Sequence, residues 1–232
     1  MQKKSFYSLT LPSYIGGKEA GVTIADRSQG TYFAPDSVKG RTFEVNQADL
    51  VTGASTQSFR RFKFVVDGVI GTKALSSFYG MELISDKVKS IPKKWHTLID
   101  ASIKIETVDG WVLRVFTIAN TKRKPKAVKK NCYASLSQVK TIRKIIFKII
   151  EEELKECTIE EVVKKLMNEN IGTRIETEGH KIYPLQSCHV RKVKVVKRPK
   201  VDESEFDTKA RSRRVDIVQD VAPELEAGAA SR

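Results

Sequence analysis

The chain has 232 residues, 40% of them hydrophobic, and carries 42 Lys+Arg against 28 Asp+Glu for a formal charge of +14. That length suffices for one packed core with a smaller peripheral part. The hydrophobic share lies below the ~45–50% of ordinary globular chains, so part of the chain is expected outside the core. No run approaches the ~18 apolar residues of a membrane span, and no signal-peptide pattern follows Lys3-Lys4. A charge this large calls for a polyanionic partner, nucleic acid ahead of an anionic membrane.

The charge is uneven. Residues 201–232 hold eight acids and five bases, which leaves 37 bases and 20 acids, a net +17, in residues 1–200. Cys132, Cys157 and Cys188 cannot all pair and form no CxxC, the usage of reduced thiols in a cytosolic or nuclear protein.

In chain order, residues 1–20, with Pro12 and Gly16-Gly17, read as an extended lead-in, and a core domain is expected over 21–200. Strands are predicted over 22–25, 38–45, 59–66 and 75–84, with turns at Gln29-Gly30 and Pro35-Asp36 and a loop opening at Ala48-Asp49-Leu50. Gly80 marks a bulge or a close backbone approach, and residues 85–90 a short helix stopped by Pro92. Ile99, Ala101, Ile103 and Ile105 then alternate with polar residues, the mark of a strand with one buried face. Asp109-Gly110 predicts a tight hairpin turn, and the return strand through Trp111, Leu113 and Phe116 is apolar enough to be buried on both faces.

The chemistry then changes. Lys122-Arg123-Lys124-Pro125-Lys126-Ala127-Val128-Lys129-Lys130 holds six cations in nine residues and no acid. Such an arm, presented by a hairpin, is expected to contact phosphates and to order on RNA. Beyond it the period becomes helical. Ser135-x-x-Gln138 and Thr158-x-x-Glu161 are capping boxes, each opening an amphipathic helix. Leu136, Val139, Ile142, Ile146, Ile149, Ile150 and Leu154 stripe the first, and Asn170 with Gly172 is expected to end the second. Glu151-Glu152-Glu153 sits late in the first helix, against the macrodipole, and implies exposure or a basic partner. Pro184 marks an edge strand or a strand end, and Val190 to Val195 alternates valine with cation.

The fold class is therefore α+β: a small antiparallel barrel or curved sheet packed with a two-helix hairpin. The expected divisions are a β core at 21–119, the arm at 120–134, the helical hairpin at 135–170, C-terminal strands at 180–197 and a flexible tail at 201–232.

Candidate RNA-contacting residues are Lys122, Arg123, Lys124, Lys126, Lys129 and Lys130 on the arm. Arg60, Arg61 and Lys63, interleaved with Phe59, Phe62 and Phe64, are a second set. Lys93-Lys94 beside Trp95-His96, Arg143 and Lys144, and Arg191, Lys192 and Lys194 complete it. Core packing is the default for the phenylalanines and for Trp95 and Trp111. Cys157, His180, Cys188 and His189 fit no zinc spacing, and Gly16-Gly17-Lys18 lacks the Ser or Thr and the leading glycine of a P-loop. No catalytic residue, metal or cofactor is expected. The acids Asp67, Glu82, Asp86, Asp100 and Asp109 show no paired spacing for acid–base work.

Distributed motifs carry a family resemblance. They include Lys39-Gly40-Arg41-x-Phe43-Glu44-Val45, Phe59-Arg60-Arg61-Phe62-Lys63, Gly80-Met81-Glu82-Leu83 and Lys93-Lys94-Trp95. Thr107-Val108-Asp109-Gly110-Trp111-x-Leu113-Arg114-x-Phe116, Ile182-Tyr183-Pro184-Leu185 and Val190-Arg191-Lys192-Val193-Lys194 continue the set. Over residues 5–200 the chain resembles the small-subunit ribosomal proteins of eukaryotes and archaea called S-one-e, in older naming S-three-A-e. The cations within the motifs are closer to the eukaryotic form. Only Lys3-Lys4 stands where eukaryotic members carry a lysine-rich extension, and the tail differs. The resemblance implies a structural, non-catalytic component of the small subunit, on the platform near the messenger exit. Its implied partners are ribosomal RNA and neighbouring platform proteins, with initiation factors and mRNA nearby. It also implies a role in subunit assembly and translation, in the cytoplasm, with assembly in the nucleus or nucleolus for a eukaryotic member. The alternative is a free regulatory RNA- or DNA-binding protein, against which stands the lack of a helix-turn-helix or zinc finger.

Overall fold

Gly110 turns the central hairpin with φ +75°, a conformation that glycine adopts without a Cβ penalty. The Gly110 amide donates to the Thr107 carbonyl, and the Thr107 amide to the Trp111 carbonyl. Strand β6 (Leu98–Glu106) thereby pairs antiparallel with β7 (Val112–Thr121), Leu98 opposite Asn120 and Glu106 opposite Val112. Alternation holds on β6, where Ile99, Ala101 and Ile105 are buried. β7 is buried along most of its length; Arg114 is the exposed exception.

The computed structural model describes residues 4–50, 58–125 and 127–199. The predicted tail at 201–232 and Lys126 lie outside the described residues. The remaining strands are β1 (Lys4–Thr10), β2 (Glu19–Asp26), β3 (Thr42–Asn46), β4 (Arg60–Ile70), β5 (Lys73–Leu83) and β8 (Leu185–Lys197). Among the described residues, these eight strands form one curved, unclosed sheet. β5 is its hub. One edge pairs with β4; the other is shared between β1, parallel over Lys73 to Leu75, and β8, antiparallel over Gly80 to Glu82. Gly80 is where β8 comes in: a Cβ there would lie 2.7 Å from the Val193 carbonyl oxygen. The β4–β5 register also shifts beside it, Lys63 facing Gly80 and Phe64 facing Phe78, so Tyr79 is the bulged residue.

Residues 4–10 do more than lead into the core. β1 pairs with β2 along its length and buries Tyr7 and Leu9, with Leu11 buried just beyond it. The parallel contact with β5 joins segments 65 residues apart, a pairing that no local pattern announces. The turn at Pro35-Asp36 is a short helix, α1 (Ala34–Val38), and the loop at Ala48 begins inside the one-turn α2 (Gln47–Leu50). α3 (Ser85–Ser90) lies where predicted.

Both capping boxes form. Ser135 opens α4 (Leu136–Leu154) and Thr158 opens α5 (Ile159–Asn168). The α4 stripe is buried from Val139 to Leu154, but Leu136, in the first turn, is 83% exposed. The helical part is three helices, not two. Glu169 takes φ +59° and the chain re-enters a helix at once as α6 (Asn170–Gly179). Gly172 sits inside α6 because its face meets β8 backbone. Two acids of the Glu151-Glu152-Glu153 run have basic partners: Arg174 of α6 pairs with Glu152 and, at 2.8 Å, with Glu153, and Lys165 of α5 lies 3.2 Å from Glu153.

The main core fills the space between the inner sheet face and these helices. Phe62, Phe64, Phe78, Leu113, Ile142, Ile149 and Ile150 are fully enclosed there. Trp111 is buried as expected. Trp95 is not: it is 49% exposed and holds φ +68°. No described helix is long and apolar enough to cross a membrane.

Candidate nucleic-acid interface

The basic arm leaves the end of β7 and is pinned at both ends. At its start the Lys122 amide donates to the Pro184 carbonyl at 2.7 Å. At its end the Cys132 amide donates to the Trp95 carbonyl at 2.7 Å, and the Thr121 hydroxyl donates to the Cys132 carbonyl at 2.7 Å. Thr121 is the hub of this closure, since its Oγ1 also accepts the Thr97 amide at 2.9 Å. Between the pins the arm folds back: the Ala127 amide donates to the Lys124 carbonyl, and the Arg123 guanidinium to the Ala127 carbonyl at 2.6 Å. An arm expected to order only on RNA is thus already held by main-chain bonds.

The pinning brings the arm to Lys93 and Lys94, both exposed, through the Trp95–Cys132 contact. The Lys130 ammonium stands 5.6 Å from the Trp95 ring centroid, and the Lys124 ammonium 4.8 Å from that of Tyr183. Against the start of α4 the arm encloses an open groove of about 470 Å³, edged by Lys124, Lys129, Tyr133 and Tyr183. Lys122, Arg123, Lys124, Lys129 and Lys130 are all exposed. Their cations form one end of the molecule with aromatic rings among them, a surface suited to phosphates and stacked bases.

A second basic surface lies on the outer sheet face. Arg61, Lys63, Lys192 and Lys194 project there from β4 and β8, and Arg191 lies at one of three register shifts between β7 and β8. Two carboxylates temper it. Glu44 lies 2.7 Å from Lys63 and 3.5 Å from Arg61, and Glu82 lies 2.9 Å from Lys63 and 3.1 Å from Lys192. The hydrogen bond it donates to Glu44 holds the Lys63 ammonium above its ordinary pKa. Burial pushes the Glu82 carboxyl up, but Lys63 and Lys192 outweigh it and hold it below the usual range.

Residues 1–199 match the sequence model of the Ribosomal S3Ae family. The chain belongs to that family. An S3Ae chain is a protein of the small ribosomal subunit, a structural component rather than an enzyme. Membership implies ribosomal RNA and ribosomal proteins as partners and the ribosome in the cytoplasm as location.

Not every sequence-predicted cation of this S3Ae chain stands on a basic surface. Arg60 is corrected: it is 3% exposed, with its guanidinium 2.8 Å from Glu169 and 3.0 Å from the Met167 carbonyl. It braces the α5–α6 junction, because β4 starts where those helices cross its end. Arg143 is turned to β6, donating to the Asp100 carbonyl at 3.0 Å and pairing with its carboxylate at 3.3 Å, while Lys144 is exposed. Phe62 and Phe64 are core, as expected by default. Among the described residues, no group of three or more His, Cys, Asp or Glu is placed to hold a metal ion. Sequence reasoning missed Arg114, Lys104 and Phe116. The signal was present: Lys104 is an outward position of the β6 alternation, and Arg114 is the lone cation inside an apolar strand.

Proposed function

We propose that this S3Ae chain holds ribosomal RNA of the small subunit chiefly through the pinned arm. Lys122, Arg123, Lys124, Lys129 and Lys130, with Lys126 beyond the described residues, then contact phosphates. Lys93, Lys94 and Lys144 flank them, and Arg61, Lys63, Arg191, Lys192 and Lys194 form a second contact. The observation that carries this reading is the two-point closure of the arm, Lys122 on Pro184 and Cys132 on Trp95, which fixes a cation cluster in place. A cluster fixed before binding loses less conformational entropy on contact than a free one.

The family resemblance extends the reading to the platform near the messenger exit, beside neighbouring platform proteins, initiation factors and mRNA. It extends it also to a part in subunit assembly, which begins in the nucleolus if the chain is the eukaryotic form its motif cations favour. Crosslinking within purified small subunits tests it. Peptides spanning residues 122–130 and 93–94 should carry RNA adducts; adducts confined to other segments would contradict it.

A further inference from the structure

Arg114, Lys104 and Lys194 stand in one row across three strands of the outer face. Arg114 of β7 faces Lys104 of β6 on one side and Lys194 of β8 on the other. Like charges directly opposite across strands destabilise a sheet. Glu44 and Glu82 do not relieve this row, since both are engaged by Arg61, Lys63 and Lys192. Among the described residues no carboxylate pairs with Lys104, Arg114 or Lys194. Three uncompensated cations, strands about 4.8 Å apart, call for an anion outside the chain.

Phe116 lies one outward position along β7, half-buried, between Ser102 and Lys192. Its ring has the Arg114 guanidinium at 5.8 Å and the Lys194 ammonium at 6.0 Å from the centroid, at the outer limit of cation–π contact. Ser102, its partner on β6, is small and exposed.

We propose that this face is a binding site for unpaired nucleotides of RNA. A base stacks on Phe116, and the row of Lys104, Arg114 and Lys194 takes the adjoining phosphates. The proposal rests on the reading that the chain binds ribosomal RNA, and it adds a site and a class of nucleotide to it. A phosphate row beside an aromatic ring fits a single strand. A duplex keeps its base faces stacked internally and has none to offer the ring.

The test measures affinity of the full chain for a short oligouridylate and for a blunt RNA duplex over a range of salt. Phe116→Ala should weaken oligouridylate binding ~5- to 150-fold with the salt slope unchanged, and leave duplex binding as it was. Phe116→Tyr keeps a ring and should bind like the wild type, which separates stacking from folding. Lys104→Ala and Arg114→Ala should each make the single-strand slope shallower by ~0.7. Wild-type oligouridylate affinity in Phe116→Ala, or equal losses for both RNAs, would overturn the proposal. If the wild type binds both RNAs and the sheet variants change nothing, the sheet site fails alone. If the wild type binds neither RNA, the broader reading falls with it.

Discussion

Gly172 of α6 lies against the backbone of Cys188 in β8 so closely that a Cβ built on it would stand 2.4 Å from the Cys188 carbonyl oxygen. This close approach seats α6 on the sheet, with Ile171 and Ile175 buried on either side. Gly172→Ala should destabilise the fold by roughly 1–3 kcal/mol, because the obstacle is main chain and cannot rotate away. The check is a lower urea midpoint with an unchanged slope. Gly179→Ala meets the Leu185 Cδ1 atom, also at 2.4 Å, and should cost less, since a side-chain end can move.

Glu169 makes stability depend on acid. Burial pushes its carboxyl up, but the His189 hydrogen bond and the Arg60 guanidinium outweigh that and hold it below its ordinary value. A carboxyl depressed in the folded state stabilises above its unfolded value, about 4.3, and that contribution is lost as pH falls through the folded value. Glu169→Gln should therefore flatten the acid side of a stability-against-pH curve. Near neutral pH it leaves Arg60 buried without its carboxylate. That should cost roughly 3 kcal/mol, the low end for a broken buried pair, because the Glu169 side chain is itself 25% exposed. Urea unfolding from neutral to acid pH reads both effects.

Much of this arrangement is legible locally. The β6 alternation, the Asp109-Gly110 turn and both capping boxes act within a few residues, and each pattern has one good structural answer. The α5–α6 break is not. Asn170 and Gly172 look like a helix end, yet α5 ends at Asn168 and a new helix starts at Asn170, and Gly172 serves packing against a strand 16 residues on. Arg60 reads as one more cation on a basic strand; only the helices crossing the end of β4 bury it. The row of Lys104, Arg114 and Lys194 depends on strand register, which joins β7 to β8 across some 80 residues and cannot be counted along the chain. Trp95 departs from the expectation that aromatic residues are core, because the chain end of the arm holds its backbone at the surface.

The three cysteines should be inert in the native protein. All are buried and free, and burial, with the Glu176 charge a lesser cause, pushes the Cys188 thiol up to about 12. The thiolate is the reactive form. A thiol reagent at neutral pH should label Cys188 only as fast as the protein unfolds, with complete labelling in denaturant. Immediate labelling of the folded chain at Cys188 would contradict its placement under α6.

Trp111→Ala separates folding from binding. The ring is 8% exposed within the main core, and its removal should cost roughly 3–5 kcal/mol. RNA binding should fall only as far as the folded fraction does, so adding a stabilising osmolyte should restore it.

The central claim is that the pinned arm holds RNA, and the salt dependence of binding tests it most directly. Lys124, Lys129 and Lys130 replaced together by Ala leave up to three phosphates without a cation, while the Lys122 and Cys132 pins remain in the main chain. For structured small-subunit RNA the slope of log affinity against log salt should become shallower by ~0.9 for each phosphate no longer neutralised. Thermal stability should hold or rise slightly as like charges are removed, and the variant should enter small subunits less than the wild type. An unchanged slope together with wild-type entry into small subunits would contradict the account and leave the arm a solvated loop.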